Sequence, residues 1–448
     1  MARLRVSAPL AFLLMGIVLR LGLAWVNPSS NSYDDHRLPI AEYANTGERP
    51  EPAACWQCYQ PPVYYASSAL ILNGAVALTG SPAIGWKTVQ LATAAASSAA
   101  LVLTYLLLTL FLPGNPKAQA AGVLIIAVLP RDLYTAAAIS NDALLQFFVT
   151  AAALSVSALL VRRDGRGHSW LVGLACLTVL AASTKQSGLV LLPLLGIATW
   201  TLVRDAPRSK HLNLVLLIVL GLAMLSLTDE MWRFEHTGRV LASNQHWDYR
   251  ALAERQPPGH LAWGTFTTFV PHRLVDAPTL SSQTWGSFWT QLFARTWFDY
   301  EPRFLPGSDL TLWLARILYA VGLASTVVAL VGVARLLTEF RRSAGLLMLI
   351  PAGFLGAAVV QTMRFPHFSS MKALFLLPAT SVLALSFALG VDACLRRPSL
   401  KRATAGLLLA LALIGLSHAI ATLSLNSAAL GSATSPQWPP PHLVNAPM

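Results

Sequence analysis

The chain has 448 residues, of which 55% are hydrophobic and 12% charged, and its mean hydropathy is +0.55. A chain this apolar is excluded from the soluble globular class and reads as a polytopic membrane protein. Its net charge of +12 does not call for nucleic acid, because the basic residues cluster in short loops between apolar runs, where they set membrane topology.

The first apolar run, near 7–26, follows Arg3 and Arg5 and has no small-residue cleavage site after it, so it reads as a retained helix and not a signal peptide. Further spans are expected at roughly 87–112, 119–134, 142–161, 169–184, 187–203, 212–230, 309–334, 344–362, 372–391 and 403–424, about eleven in all. Residues 63–79 are also apolar and read either as a span or as a surface helix. Charge decides between the two. If this stretch does not cross and the N-terminus is cytoplasmic, then Lys117, Arg162, Arg163, Arg166 and the basic runs starting at Arg204, Arg335 and Arg396 all fall inside. If it crosses, every later basic loop moves outside. A partly embedded helix on the outer side is therefore expected.

That parity gathers six elements on the outer face: Asp34 and Asp35, residues 55–62 (CWQCYQPP), 140–142, 184–186, 231–308 and 364–372. The segment 231–308 carries Trp263, Trp285, Trp289 and Trp297, which suggest short helices resting in the interface as a lid or substrate wall. The domain reading is an N-terminal module over 1–230 whose first external loop (27–86) is catalytic, the external segment 231–308, and C-terminal helices over 309–448. The Pro-rich end, 435–448, is expected to be disordered.

Several polar residues on this face can carry chemistry. Asp34 and Asp35 suit a general base, or a metal held against a leaving phosphate, because such a carboxylate has to be hydrated and free of strong pairing. They also suit the N-cap of a helix over 38–45. Asp142 opens an apolar run, where it either caps a helix or joins the first pair in an acidic site built from two loops. Lys185 is a snorkelling lysine or a phosphate ligand. Arg364, His367 and Lys372 run against the positive-inside trend and answer to a phosphate or to anionic headgroups. Arg131 and Asp132 are expected to pair with each other. Cys55 and Cys58 face an oxidising compartment and read as a local disulfide that stiffens the loop, since a zinc site would want two further ligands. Cys176 and Cys394 read as small core hydrophobes.

Four segments resemble the GT-C superfamily of integral-membrane glycosyltransferases: YDDH at 33–36, YQPPVYY at 59–65, ISNDA at 139–143 and TKQSG at 184–188. KALFLLP at 372–378 is a weaker fifth. The nearest likeness is to the branch that holds protein O-mannosyltransferases and lipid A aminoarabinose transferases. The resemblance implies an all-α, GT-C-like enzyme of the bacterial inner membrane that takes sugar from a polyprenyl-phosphate donor on the outer face. The acceptor would be a lipid, glycan or protein. It implies Asp34 or Asp35 as the catalytic acid, Asp142 as the second-loop acid, and Lys185, Arg364, His367, Lys372, Tyr59 and Gln60 as donor-binding residues. The expected mechanism inverts the anomeric carbon, with Asp34 or Asp35 deprotonating the acceptor while Lys185 and Arg364 stabilise the leaving phosphate. A divalent cation is possible but dispensable, and no metal ligand is assigned. The CWQC insertion, the shorter C-terminal half and the lack of a lumenal domain leave the acceptor open. The rival reading is a transporter or flippase of a lipid-linked sugar, which would show paired repeats and charges deep within spans; the sequence shows no repeat, and its charges crowd at one face.

Overall fold

The computed structural model describes residues 7–31, 36–161, 167–205, 210–244, 246, 263–365 and 370–429, and among these every regular element is helical. In chain order they are α1 (Ala8–Val26), α2 (Arg37–Thr46), α3 (Pro62–Thr79), α4 (Pro82–Phe111), α5 (Pro116–Ala127), α6 (Pro130–Ala137), α7 (Asn141–Val161), α8 (Gly167–Ala182), α9 (Leu191–Asp205), α10 (Lys210–Leu225) and α11 (Thr228–Thr237). Two single turns, α12 (Gly264–Thr267) and α13 (Arg273–Asp276), precede α14 (Phe288–Trp297), α15 (Asp309–Glu339), α16 (Arg341–Arg364), α17 (Thr380–Leu395) and α18 (Pro398–Ala429). Proline opens α3, α4, α5 and α6, where its missing N–H costs nothing. Ser308 and Thr311 cap α15 reciprocally.

Among the described residues nine helices are long and apolar enough to cross a membrane, or ten if α5 and α6 count as one span bent by 54°. That pair stands where a straight span over 119–134 is expected, and the break falls ahead of Pro130, which cannot continue the α5 hydrogen-bond ladder. The span expected at 169–184 is α8, with 16 residues shorter than the bilayer requires. The helix Ala373–Leu395, which includes α17, is 83% buried while no other span exceeds 61%, so it forms the centre of the bundle. Its approach to α15 is backbone against backbone. A Cβ on Gly332 would stand 1.6 Å from the Ser386 carbonyl, and one on Gly390 1.9 Å from that of Val328, so only glycine fits at either position.

Hydrogen bonds assign each loop to one end of the bundle. Asn27, just after α1, donates to the Ala137 carbonyl at the end of α6 (2.8 Å), and Asn141 at the start of α7 donates to the Thr184 carbonyl after α8 (3.3 Å). The opposite end is tied by Asp392 of α17, which accepts from Asn115 (2.7 Å) and pairs with Arg335 and Arg396. Helix α3 has both its ends at the first end. Val63 N–H donates to the Ser183 carbonyl (2.9 Å), and Lys87, in the second turn of α4, donates to the Asn27 carbonyl (2.7 Å). Gly80, at φ +69°, makes the turn between them, and α3 packs so tightly on α4 that a Cβ on Gly85 would meet Leu72 and Val76 at 2.8 Å. The chain therefore goes out and back at one end without crossing, as expected for 63–79.

Three expectations are corrected. Asp132 does not pair with Arg131, because neighbouring side chains on a helix do not face each other; its partner is Arg20 of α1, in a pair no more than 1% exposed. Trp297 is not interfacial but buried, with the backbone of Gly322 lying on its indole ring, although Trp263 and Trp289 are exposed. Cys176 is exposed on α8, while Cys394 is buried. Residues 162–166 and 435–448 lie outside the described residues.

Two outcomes follow from this architecture. In a Cys176→Ala/Cys394→Ala background, Ala83→Cys and Thr46→Cys should react with an impermeant thiol reagent from the same side, and Ser399→Cys only from the other. Labelling of Ala83→Cys from the side of Ser399→Cys would place a crossing in α3. Arg20→Met should cost about 3–5 kcal/mol by leaving Asp132 charged and buried, and Arg20→Met/Asp132→Leu should recover most of it, as read from unfolding midpoints in detergent.

Candidate active site

The bend between α5 and α6 puts Arg131 in the first turn of α6, where it is 3% exposed and its Nε donates to the Arg295 carbonyl at 2.8 Å. Arg295, in the last turn of α14, places Nη1 2.8 Å from Glu301 Oε1, and Arg303 Nε lies 3.5 Å from Glu301 Oε2. Lys372 and Leu374 close a narrow cleft with Arg131, Arg295 and Glu301. The backbone here is shaped by Asp299, whose Oδ2 accepts from the N–H groups of Phe304 (2.6 Å) and Leu305 (2.8 Å). Burial pushes the Asp299 carboxyl above its usual range, against the pull of those donors. Burial would raise Glu301 too, but Arg295, Arg303, Arg131 and Lys372 together hold it down to about 2. A depressed carboxylate stabilises the fold above its ordinary pKa and loses that contribution as pH falls through the lowered value. Glu301 therefore stays ionised at any working pH. Among the described residues three cations and one carboxylate line the cleft, a positive set suited to an anion.

A second group joins the described parts of the four motif segments. His36 Nδ1 lies 2.8 Å from the Tyr65 hydroxyl, Asn141 Nδ2 reaches that hydroxyl at 3.5 Å, and Lys185 Nζ stands 2.5 Å from Asp142 Oδ1. Asp142 Oδ2 accepts from Ser140 Oγ (2.9 Å). The turn that presents Lys185 folds back on α8 so closely that a Cβ on Gly188 would be 2.3 Å from the Ala181 backbone. Lys185 also lies 5.7 Å from the Phe375 ring centre, in the 3-10 helix Ala373–Ala379 that follows Lys372. The two groups are thus neighbours through residues 372–375.

The other described donor-binding candidates, Tyr59, Gln60 and Arg364, lie elsewhere. Cys55 and Cys58 are joined as a disulfide. Beyond it, the Tyr59 carbonyl accepts from Arg233 (3.2 Å) and the Gln60 carbonyl from Arg49 (3.1 Å), while Asp229 of α11 pairs with both arginines. These contacts fasten the loop to α11, and neither Tyr59 nor Gln60 lines the cleft. Arg364 is exposed, donates to the Leu241 carbonyl (3.3 Å) and meets His246 (3.0 Å); it does not line the cleft beside Lys372. Asp34, Asp35 and His367 lie outside the described residues. The residues flanking the acidic pair are anchored: Asn31 donates to the Arg303 carbonyl (3.1 Å), and His36 meets Tyr65. Among the described residues no three His, Cys, Asp or Glu side chains stand close enough to share a metal ion.

The sequence reading missed Arg20, Arg295, Glu301 and Arg303. A signal for the last three was present, since Arg295, Asp299, Glu301 and Arg303 fall within one aromatic-rich stretch, RTWFDYEPR.

No family model and no curated protein matches the sequence. Solved structures match in fold. The oligosaccharyltransferase of Archaeoglobus fulgidus in its apo form aligns with a TM-score of 0.50 at 13% identity, over 94% of this chain and 56% of that one. AglB from the same organism, in complex with an inhibitory peptide and a dolichol-phosphate, gives 0.48 at 16% identity over 95% and 56%. ArnT from Cupriavidus metallidurans bound to undecaprenyl phosphate gives 0.47 at 13% identity over 93% and 77%. The chain spans a little over half the length of the oligosaccharyltransferases. The chain shares its fold with the membrane-embedded part of the Archaeoglobus fulgidus oligosaccharyltransferase that it aligns with.

Because Lys185 is buried against Asp142, Lys185→Met should destabilise the protein by about 3–5 kcal/mol, and Lys185→Met/Asp142→Leu should restore most of the loss. Equal unfolding midpoints for Lys185→Met and wild type would show that the pair contributes nothing to the fold.

Proposed function

We propose that this chain is a polyprenyl-phosphate-dependent glycosyltransferase that moves a sugar, with inversion, to an acceptor on the extracytoplasmic side. The observation that carries this reading is the positive cleft of Arg131, Arg295 and Lys372, lying at the same end of the bundle as the motif segments. Its sidedness rests on the opposite end, where Lys117, Arg335, Arg396, Arg397 and Lys401 collect as cytoplasmic loops demand.

The donor phosphate is read into the cleft. As the bond from the anomeric carbon to the phosphate oxygen breaks, negative charge grows on that oxygen, where the cations stabilise it. Asp34 or Asp35 takes the proton of the acceptor hydroxyl or amine, and the new bond forms on the sugar face opposite the leaving phosphate. Asn31 is tied to Arg303 and His36 to Tyr65. The acidic pair is assigned as base on the resemblance of the YDDH segment and on these fastened neighbours. Asp142 and Lys185 are assigned positioning roles through the turn that abuts Phe375, and Arg364 to headgroup contact. A cleft at one end of the bundle, and not at its midplane, favours the enzyme over a transporter.

Asp34→Asn or Asp35→Asn should cut turnover by roughly 100-fold or more while donor binding persists, since the amide keeps the shape but not the proton acceptance. Capping alone predicts little change, because Asn caps as well as Asp. Near wild-type transfer by both single variants and the double variant would return the pair to a structural role. Analysis of lipid-linked sugars in a strain lacking the protein identifies the donor that accumulates.

A further inference from the structure

We propose that Glu301 is an internal competitor for the donor phosphate: its carboxylate fills the anion position of the cleft and is displaced when a lipid phosphate binds. The inference rests on the reading above that the cleft holds that phosphate. Both carboxylate oxygens are committed to cations, Oε1 to Arg295 at 2.8 Å and Oε2 to Arg303 at 3.5 Å, and Glu301 lines the cleft between Arg131, Arg295 and Lys372. This is the arrangement a phosphate would adopt on the same guanidinium groups. Two anions on one set of cations repel each other, so the carboxylate and the phosphate exclude one another from Arg295.

Glu301 is able to yield. It lies between α14 and α15 on a non-helical segment, its side chain is 17% exposed, and its neighbour Arg303 is 28% exposed. The backbone around it is fixed by Asp299, so a side-chain rotation is enough to vacate the site. Its acidity argues against the alternative role of general base, since a carboxylate held at about 2 binds a proton poorly at neutral pH.

The arrangement has a use in turnover. The sugar donor is a phosphodiester with one negative charge, whereas the product is a phosphate monoester that carries nearer two at neutral pH. A cleft of bare cations would hold the product more tightly than the donor. A carboxylate that returns to Arg295 and Arg303 offsets that preference and lets the spent lipid leave.

The test is equilibrium binding of a short-chain polyprenyl phosphate to the full-length protein in nanodiscs, with the uncharged polyprenol as control. Glu301→Gln should bind the phosphate at least tenfold more tightly than wild type, and Lys372→Met more weakly, with no change for the polyprenol. In transfer assays Glu301→Gln should lower KM and kcat together, as slow product release requires. If Lys372→Met weakens binding while Glu301→Gln binds no more tightly than wild type, the cleft takes the phosphate but Glu301 does not compete, and this inference falls alone. If neither substitution changes binding, the assignment of the phosphate to the cleft falls with it. Should Glu301→Gln fail to fold, Glu301→Asp decides. Its shorter carboxylate cannot span both arginines, so tighter binding supports the competition and unchanged or weaker binding overturns it.

Discussion

Pro130 has no N–H to offer the carbonyl four residues earlier, that of Ile126, and an unpaired carbonyl inside a membrane bundle is costly. Arg20 supplies the missing donor. Its Nη2 lies 2.9 Å from the Ile126 oxygen, its Nη1 2.9 Å from the Gly16 carbonyl and its Nε 3.1 Å from Ser97, while Asp132 balances its charge. Asp132 is held in turn by Gln146 of α7 at 2.8 Å. One buried guanidinium thus ties α1, α4, α5, α6 and, through Asp132, α7. The direction of α6 depends on that knot, and α6 carries Arg131 into the cleft. A deep charge of this kind belongs to the pattern expected of transporters, but here it is fully paired and satisfies a helix break.

The two ends of the bundle treat charge in opposite ways, and α17 with its preceding 3-10 helix connects them. At one end, Asp392 is a single carboxylate shared by Arg335, Arg396 and Asn115, which cross-links α15, α17 and the loop before α5. At the other, Lys372 opens the segment and shares a cleft with Arg131, Arg295 and Glu301. The first arrangement fixes helices to one another, whereas the second leaves positive charge in a cleft. Backbone contact through Gly332 and Gly390 makes α17 a stiff spar between them.

Much of the fold could be read from the sequence because membrane topology depends on local quantities. Apolar length and loop charge were enough to place α3 at one end and to gather 27–31, His36, 55–62, 140–142 and 184–186 there, as the bonds of Asn27, His36, Asn141 and Val63 show. What could not be read were pairings across long separations. Arg20 sits alone in an apolar run, and its partner is 112 residues away; Arg131 meets the Arg295 carbonyl across 164 residues. Without those contacts Arg131 and Asp132 looked like a local pair and Trp297 like an interfacial anchor. The cleft's remaining charges were hidden in a segment recognised only as a wall.

On the proposed reading, the environments of the described carboxylates narrow the choice of base. Asp142 is 1% exposed, and its oxygens accept from Lys185 and from Ser140, which commits it to the fold. Glu301 is held ionised by four cations and has little affinity for a proton. Asp299 is fully buried and spends Oδ2 on two backbone N–H groups. Asp229 is locked between Arg49 and Arg233 on the far side of the disulfide loop. Each of these acids has structural work of its own. Asp34 and Asp35 lie outside the described residues, but the residues on either side of them are fastened, Asn31 to the Arg303 carbonyl beside the cleft and His36 to Tyr65. A base needs fixed neighbours to hold it in place and a carboxylate not already given to the fold, and none of the four described acids meets the second condition.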